Sequence, residues 1–268
     1  MNIIDVATKL RGLTFQDSAG SIVHYTNEIK SPDLICDFNE LDVKFNNTHR
    51  SVRINDIGNF LIGRDYDDAC SGGNDAPIQQ GRNAVINNHV CVVTGGAQGF
   101  GEGIVRGLVH HGGIVFIADI NVAGAESLAK KLNEEHKRSV AFGIECDVTC
   151  EESVMKMVEK IVYAVGGIDI FISNAGVLKA GSVKTLSKSD FDISYDEFEI
   201  SCTELLSDHL FCNICFNSNE NSLTSYDGRK FNFKENISSI EITNQCVNLI
   251  SGMTMGSNEY SEFLKTQK

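Results

Sequence analysis

Gly95, Gly99 and Gly101, in the stretch VTGGAQGFGEG (93–103), are spaced for a backbone loop that can wrap an anion. The stretch follows a short apolar run, HVCVV (89–93), and leads into Ile104, Val105, Leu108 and Val109 at helical spacing. It therefore reads as a strand-to-helix turn, the context in which glycine spacing gains meaning. Gly95 permits the sharp turn, Gly99 lets backbone approach a pyrophosphate, and Gly101 lets helix and strand pack closely. The pyrophosphate would rest on N–H groups at the positive end of the helix, without any basic side chain. No Gly-Lys-Ser/Thr follows, which excludes a P-loop. Asp119 lies 24 residues beyond Gly95, at the end of the apolar run IVFIAD (114–119). A carboxylate there can accept hydrogen bonds from an adenosine ribose and repels a 2′-phosphate, so the expected cofactor is NAD and not NADP.

Those residues need elements to hold them in place. The helix that begins in the glycine stretch should stop at Gly112-Gly113. A second helix is predicted over AGAESLAKKL (123–132), with Glu126 and Lys130 as a supporting pair. SVAFGIECDV (139–148) reads as a third strand, and Thr149 with Glu152 as the capping box of the next helix. Val154, Met157, Val158, Ile161, Val162 and Val165 carry that helix to Gly166-Gly167, and IDIFIS (168–173) is a fourth strand. Strands and helices alternating in this way predict an α/β fold. It is a Rossmann-like parallel sheet over 88–191 with helices on both faces.

At this point the residues resemble a family, the short-chain dehydrogenases/reductases. Thr94-Gly95-x-x-x-Gly99-x-Gly101 resembles its cofactor loop, and Cys146-Asp147-Val148-Thr149 its adenine-contacting segment. Ser173-Asn174-Ala175-Gly176 resembles its Asn-Asn-Ala-Gly motif, with Ser for the first Asn. The resemblance implies NAD bound through Thr94, Gly95, Gly99, Phe100, Gly101, Asp119, Asp147, Val148, Asn174, Ala175 and Gly176. VTGGAQGFGEGIVRGL and SNAGVLKAGSVKTLS are similar to the dehydrogenase half of bifunctional aldolase/short-chain dehydrogenases. That similarity implies hydride transfer with a sugar-derived alcohol or carbonyl as the small-molecule substrate. It also implies that residues 1–85 are a remnant of the segment joining the two modules. Aldolase activity is not expected, because that module is of a zinc-dependent class and residues 1–85 offer only His24 and His49.

The family's catalysis uses a Ser, a Tyr and a Lys four residues after the Tyr. A phenol titrates near pH ~10, and a neighbouring ammonium must lower its pKa before it can exchange protons at neutral pH. In this chain only Tyr226 has a lysine at that spacing, Lys230, so these two are the catalytic candidates. Their setting departs from the family. Tyr226-Asp-Gly-Arg-Lys230 reads as the turn of a hairpin over NSLTSYDGRKFNF (221–233), whereas the family carries the pair on one helix face. The family's serine would fall near Asn213, which has no hydroxyl, and no proline follows Pro77 to make the family's Pro-Gly. Residues 192–268 therefore read as a divergent segment, and the fold as one lacking the family's usual C-terminal half. Two other readings stay open: an inactive NAD-binding module, or a truncated fragment of a bifunctional aldolase/dehydrogenase.

Bulk properties bound the rest. A formal charge of −13 argues against nucleic acid and anionic membrane as partners. No apolar run approaches the ~18 residues of a membrane span, and the start lacks a signal-peptide layout. Nine cysteines, an odd number, read as reduced thiols in a cytoplasmic protein. The run His209-x-x-Cys212-x-x-Cys215, with Cys202, has the makings of a zinc site but reads as core thiol, so no metal is expected. Residues 1–63 read as an extension of short strands and loops, and 64–87 as a linker. A sheet ending at its fourth strand would leave an open edge, to be covered by the tail or by a second copy in a homo-oligomer.

Overall fold

The computed structural model describes residues 2–15, 20–71, 86–176, 212–217, 222–225 and 230–232. The first of these segments opens with helix α1 (Ile3–Leu13). Its start is closed by a reciprocal cap, Asp5 N–H donating to Asn2 Oδ1 and Asn2 N–H to Asp5 Oδ2. Val6, Ala7 and Leu10 form its fully buried face. A capped amphipathic helix thus precedes the short strands expected over 1–63, an element not foreseen from the sequence. The strands are β1 (Ile22–Thr26), β2 (Leu34–Cys36), β3 (Ser51–Ile54) and β4 (Gly58–Gly63), with the short helix α2 (Leu41–Lys44) between β2 and β3. They form one sheet in the order β1-β4-β3-β2.

Helix α3 (Tyr66–Ser71) lies inside the stretch expected to be a linker. The polar residues that suggested a linker cap this helix instead. Asp65 Oδ1 accepts from Asp68 N–H at 2.8 Å, and Asp68 Oδ2 accepts from Arg64 N–H at 2.7 Å.

The remaining elements are β5 (Val90–Thr94), α4 (Gly99–His110), β6 (Ile114–Asp119), α5 (Val122–His136), β7 (Ala141–Glu145), α6 (Glu151–Val165) and β8 (Ile170–Ser173). They are followed by β9 (Cys212–Asn217), β10 (Ser222–Ser225) and β11 (Lys230–Asn232). All seven strands form one sheet in the order β11-β10-β9-β8-β5-β6-β7. Strands β5 to β9 are parallel, and β10 and β11 run antiparallel at the far end. The chain winds outward from β5 through β6 to β7, then crosses back to β8, which is the doubly wound order of a Rossmann-like fold. The hairpin expected near 221–233 forms, pairing Ser222 with Asn232 and Thr224 with Lys230. Its Asp227-Gly228 connection lies outside the described residues. The tail also covers the edge of β8, since β9 pairs along it from Ile170↔Cys212 to Ser173↔Cys215.

Strand alternation divides the core into two faces. Cys91 and Val93 of β5 pack with α4 and α5 through Ile104, Leu108, Leu128 and Leu132. Val90 and Val92 face the other way, toward Val154, Met157 and Ile161 of α6. The N-terminal part joins this second face. Ile22 and Ala69 enter that cluster, and the Tyr66 ring lies 4.7 Å from Phe142, itself stacked on Phe116 at 5.1 Å. Val158 and Val162 of α6 reach into the N-terminal core around Leu10 and Phe60. The described residues up to Ser71 are therefore a second layer on the large sheet, with α6 packed between the two.

Two local expectations fail for a shared reason. Helix α6 has Cys150 at its N-cap with no side-chain cap bond, because Thr149 donates both its N–H and its hydroxyl to Asp147 Oδ1. Lys130 approaches Glu134, not Glu126, at 4.0 Å. In both cases a nearer partner took the side chain.

Candidate functional site

Helix α4 starts where strand β5 ends, so the glycine loop sits at the carboxyl edge of the sheet. Registers Thr94↔Ala118 and Val93↔Ile172 align the ends of β5, β6 and β8 there. The sheet changes winding direction between β5 and β8, which is where doubly wound sheets open a crevice. Gly95 (φ +61°) and Gly99 (φ +60°) both adopt the left-handed conformation. A Cβ on Gly99 would meet nothing within 4 Å, so the loop presents bare backbone to open space. A Cβ on Gly101 would lie 2.1 Å from the Gly95 carbonyl oxygen and 2.7 Å from Asn174 Nδ2. The close approach of helix to loop expected at Gly101 is thereby explained by backbone contact.

The loop is held from both sides. From β8, Asn174 Nδ2 donates to the Thr94 and Gly95 carbonyls at 3.0 and 3.1 Å. Thr94 Oγ1 in turn accepts from the N–H groups of Asn174 and Ala175 at 3.0 and 3.1 Å. From β6, Asp119 Oδ2 accepts from Ala97 N–H at 3.0 Å, and its Oδ1 accepts from Asn121 N–H at 2.9 Å. Thr94, Gly95, Gly101, Asp119, Asn174 and Ala175 are thus brought into one network. Gly176 follows it, and Phe100 stands 41% exposed at the start of α4.

Asp147 belongs to the neighbouring loop after β7. The Thr149 hydroxyl, and then its N–H, hold the Asp147 carboxyl below the usual carboxylate range. Its own N–H donates to Ser153 Oγ at 2.9 Å, and Val148 packs at the margin of the α6 cluster. Three contributors were not foreseen: Ala97 as the donor to Asp119, Ser153 as the holder of Asp147, and Ile120, 71% exposed beside Asp119. Ser153 follows Asp147 by six residues, inside a helix start, and only the fold brings it back.

Residues 89–203 match the profile of the short chain dehydrogenase family. This part of the chain belongs to that family. Among curated proteins, an uncharacterised oxidoreductase of Bacillus subtilis (strain 168) is 33% identical over 111 residues, covering 41% of this chain and 16% of its own length. Sorbitol-6-phosphate 2-dehydrogenase of Escherichia coli (strain K12) is 34% identical over 107 residues, covering 40% of this chain and 41% of its own length. A solved 3-ketoacyl-(acyl-carrier-protein) reductase of Brucella melitensis, complexed with NADH, is 30% identical and covers 40% of this chain and 42% of its own. Its TM-score is 0.36. The chain spans less than half the length of these relatives.

The short-chain dehydrogenase segment offers donors that fit a nicotinamide dinucleotide. The N-cap Gln98 gives α4 no side-chain hydrogen bond, so the helix start is not closed by its own cap. The adjacent Gly99 leaves room for a ligand, and the Asp119 carboxylate stands beside the same loop. Of the two catalytic candidates, only Lys230 falls among the described residues. Lys230 opens β11, four strand spacings from β5, or roughly 19 Å at ~4.8 Å per strand. Tyr226 lies outside the described residues, as do Cys202 and His209, while Cys212 and Cys215 fall on β9. Among the described residues, no group of three His, Cys, Asp or Glu side chains is arranged to hold a metal, and no helix is long and apolar enough to cross a membrane.

Proposed function

We propose that this chain is an NAD-dependent oxidoreductase that transfers hydride to or from a sugar-derived alcohol or carbonyl. The observation that carries the NAD preference is Asp119, whose carboxylate ends β6 beside the glycine loop and would repel a 2′-phosphate. Gly95, Gly99, Phe100 and Gly101 would hold the pyrophosphate, Asp147 and Val148 the adenine side, and Asn174, Ala175 and Gly176 the inner wall. Bound there, the dinucleotide would supply the hydride donor or acceptor. The sugar-derived substrate rests on the similarity to the bifunctional proteins and on the sorbitol-6-phosphate relative. The thiols of Cys36, Cys70, Cys91, Cys146 and Cys150, none of them in a disulfide, support a reducing, cytoplasmic setting.

A second reading is favoured by the position of Lys230. If the chain holds NAD without turning anything over, no Tyr/Lys pair is needed at the crevice. Fluorescence titration with NADH and NADPH, on wild type and Gly99→Val, tests the shared part. Saturable NADH binding, weaker NADPH binding and loss in the variant are expected; equal binding of both cofactors would overturn the NAD assignment. Turnover on a panel of sugars and sugar alcohols then separates enzyme from binding module. Activity that survives Tyr226→Phe would remove Tyr226 and Lys230 as the catalytic pair.

A further inference from the structure

Ribose contact and rejection of the 2′-phosphate, the two roles proposed for Asp119, both need a bound cofactor. The geometry points to a third that does not. Its carboxylate is already engaged at both oxygens, with Oδ2 on the Ala97 N–H at 3.0 Å and Oδ1 on the Asn121 N–H at 2.9 Å. Ala97 lies in the middle of the glycine loop, between Gly95 and Gly99. Asn121 is the N-cap of α5, where its own Oδ1 accepts from Gly124 N–H at 3.1 Å. One carboxylate therefore ties the phosphate loop to the start of the next helix.

We propose that Asp119 is a positioning residue for the glycine loop, acting before any cofactor arrives, so that cofactor preference and loop geometry are coupled through one side chain. This rests on the NAD reading for its functional consequence, though not for the clamp itself. The opposite side of the loop shows why the clamp is needed. Asn174 fixes only the first part of the loop, through the carbonyls of Thr94 and Gly95. Beyond Gly95 the tether is the Asp119 bond to Ala97, assisted by a long contact of 3.5 Å from Gly96 N–H to the Ala118 carbonyl. The next residues, Gln98 and Gly99, begin α4, and Gln98 contributes no side-chain cap. A charged acceptor holding two N–H groups makes stronger bonds than a neutral one. An Asn at this position could keep one bond through its oxygen, but its amide nitrogen would face the other N–H group donor to donor. A change that admits a 2′-phosphate would therefore also loosen the loop on which the phosphates rest.

The test uses the full chain with Asp119→Ala and Asp119→Asn, read in two ways. Amide exchange without cofactor reports Ala97 N–H directly. Affinities for NADH and for reduced nicotinamide mononucleotide report the loop with and without an adenosine ribose. The clamp predicts exchange at Ala97 faster by roughly tenfold or more in Asp119→Ala, with smaller acceleration in Asp119→Asn. It also predicts that Asp119→Ala weakens both nucleotides, and that Asp119→Asn recovers part of the mononucleotide binding. Unchanged protection at Ala97 would overturn the proposal, as would weaker NADH with undiminished mononucleotide binding, which is the signature of a ribose contact alone. Wild type that binds neither nucleotide would remove the NAD reading, and the exchange data would still decide the clamp.

Discussion

Arg11 Nη2 lies 2.5 Å from Asp169 Oδ2, joining the first helix to the start of β8 across 158 residues of chain. The pair is buried, with side-chain exposures of 6% and 10%. Asp169 Oδ2 also accepts from Val90 N–H at 2.7 Å, and Arg11 Nη1 donates to the Ser21 carbonyl at 2.8 Å. The N-terminal layer is thereby locked to the ends of β5 and β8 opposite the glycine loop. Removing one member leaves the other charge buried and unpaired, which costs about 3–5 kcal/mol. Arg11→Ala should lower the midpoint of chemical unfolding strongly while leaving a single transition. Two separated transitions would show that residues 2–71 fold apart from the large sheet.

Gly99 and Gly101 should respond differently to alanine. At Gly99 the added Cβ meets open space, and the cost is that of a left-handed residue, about 1–2 kcal/mol. At Gly101 it would strike the Gly95 carbonyl at 2.1 Å, so backbone must move. We expect Gly101→Ala to abolish NADH binding and Gly99→Ala to weaken it. The titration described above, run on both variants, checks the order; the reverse ranking would contradict the contact at Gly101.

Thr94 is fully buried, and its hydroxyl accepts two N–H groups at the β8 end. Thr94→Val preserves shape and removes the acceptor, leaving those donors unsatisfied at about 1–3 kcal/mol in all. Thr94→Ser keeps the oxygen and should restore most of the loss. Thermal unfolding of the two variants distinguishes them, and equal destabilisation would mean that the methyl group, not the hydroxyl, matters.

Stability should fall as pH drops below neutral. Burial is the largest cause holding the His89 pKa below its ordinary 6.5, against an opposing pull from Asp169. The folded state thus binds its proton later than the unfolded chain does. Between 6.5 and the lower folded value the unfolded state carries more protons, so stability declines with falling pH across that window. The lowered pKa values of Asp33 and Asp147 act in the same direction, but below the ordinary carboxylate range near ~4. Unfolding midpoints at pH 7, 6 and 5 should therefore decrease for wild type and change less for His89→Asn. An equal slope in the variant would assign the decline to other groups.

The strands and helices from Val90 to Ser173 were legible because each carries its own period. Val90 to Thr94 is buried throughout, as a central parallel strand must be, and α6 repeats its apolar residues at helical spacing to the Gly166 stop. Helix α3 was not legible, since its capping aspartates have the composition of a linker. The turn of the glycine loop at Gly95 and Gly99 and the place of Asp119 at the end of β6 were legible, because glycine types mark a turn and an acidic residue marks a strand end. The Ala97 bond was not, because a backbone N–H carries no mark in sequence.

The amino-acid sequence by itself determined the family of residues 89–203 and the order of strand and helix from Val90 to Ser173, and it named the residues proposed for the cofactor site. These follow from local periodicity and from residue types that need no distant partner to be recognised. Only the tertiary structure decided that the described residues up to Ser71 are a layer of the same core, that β9 to β11 extend the sheet beyond β8, and that Lys230 stands on the strand at its far edge. Each of those depends on pairings between segments far apart in the chain, such as Arg11 with Asp169 and Ser173 with Cys215. Such contacts form because burial and strand pairing select them in three dimensions, and one-dimensional spacing holds no trace of the choice.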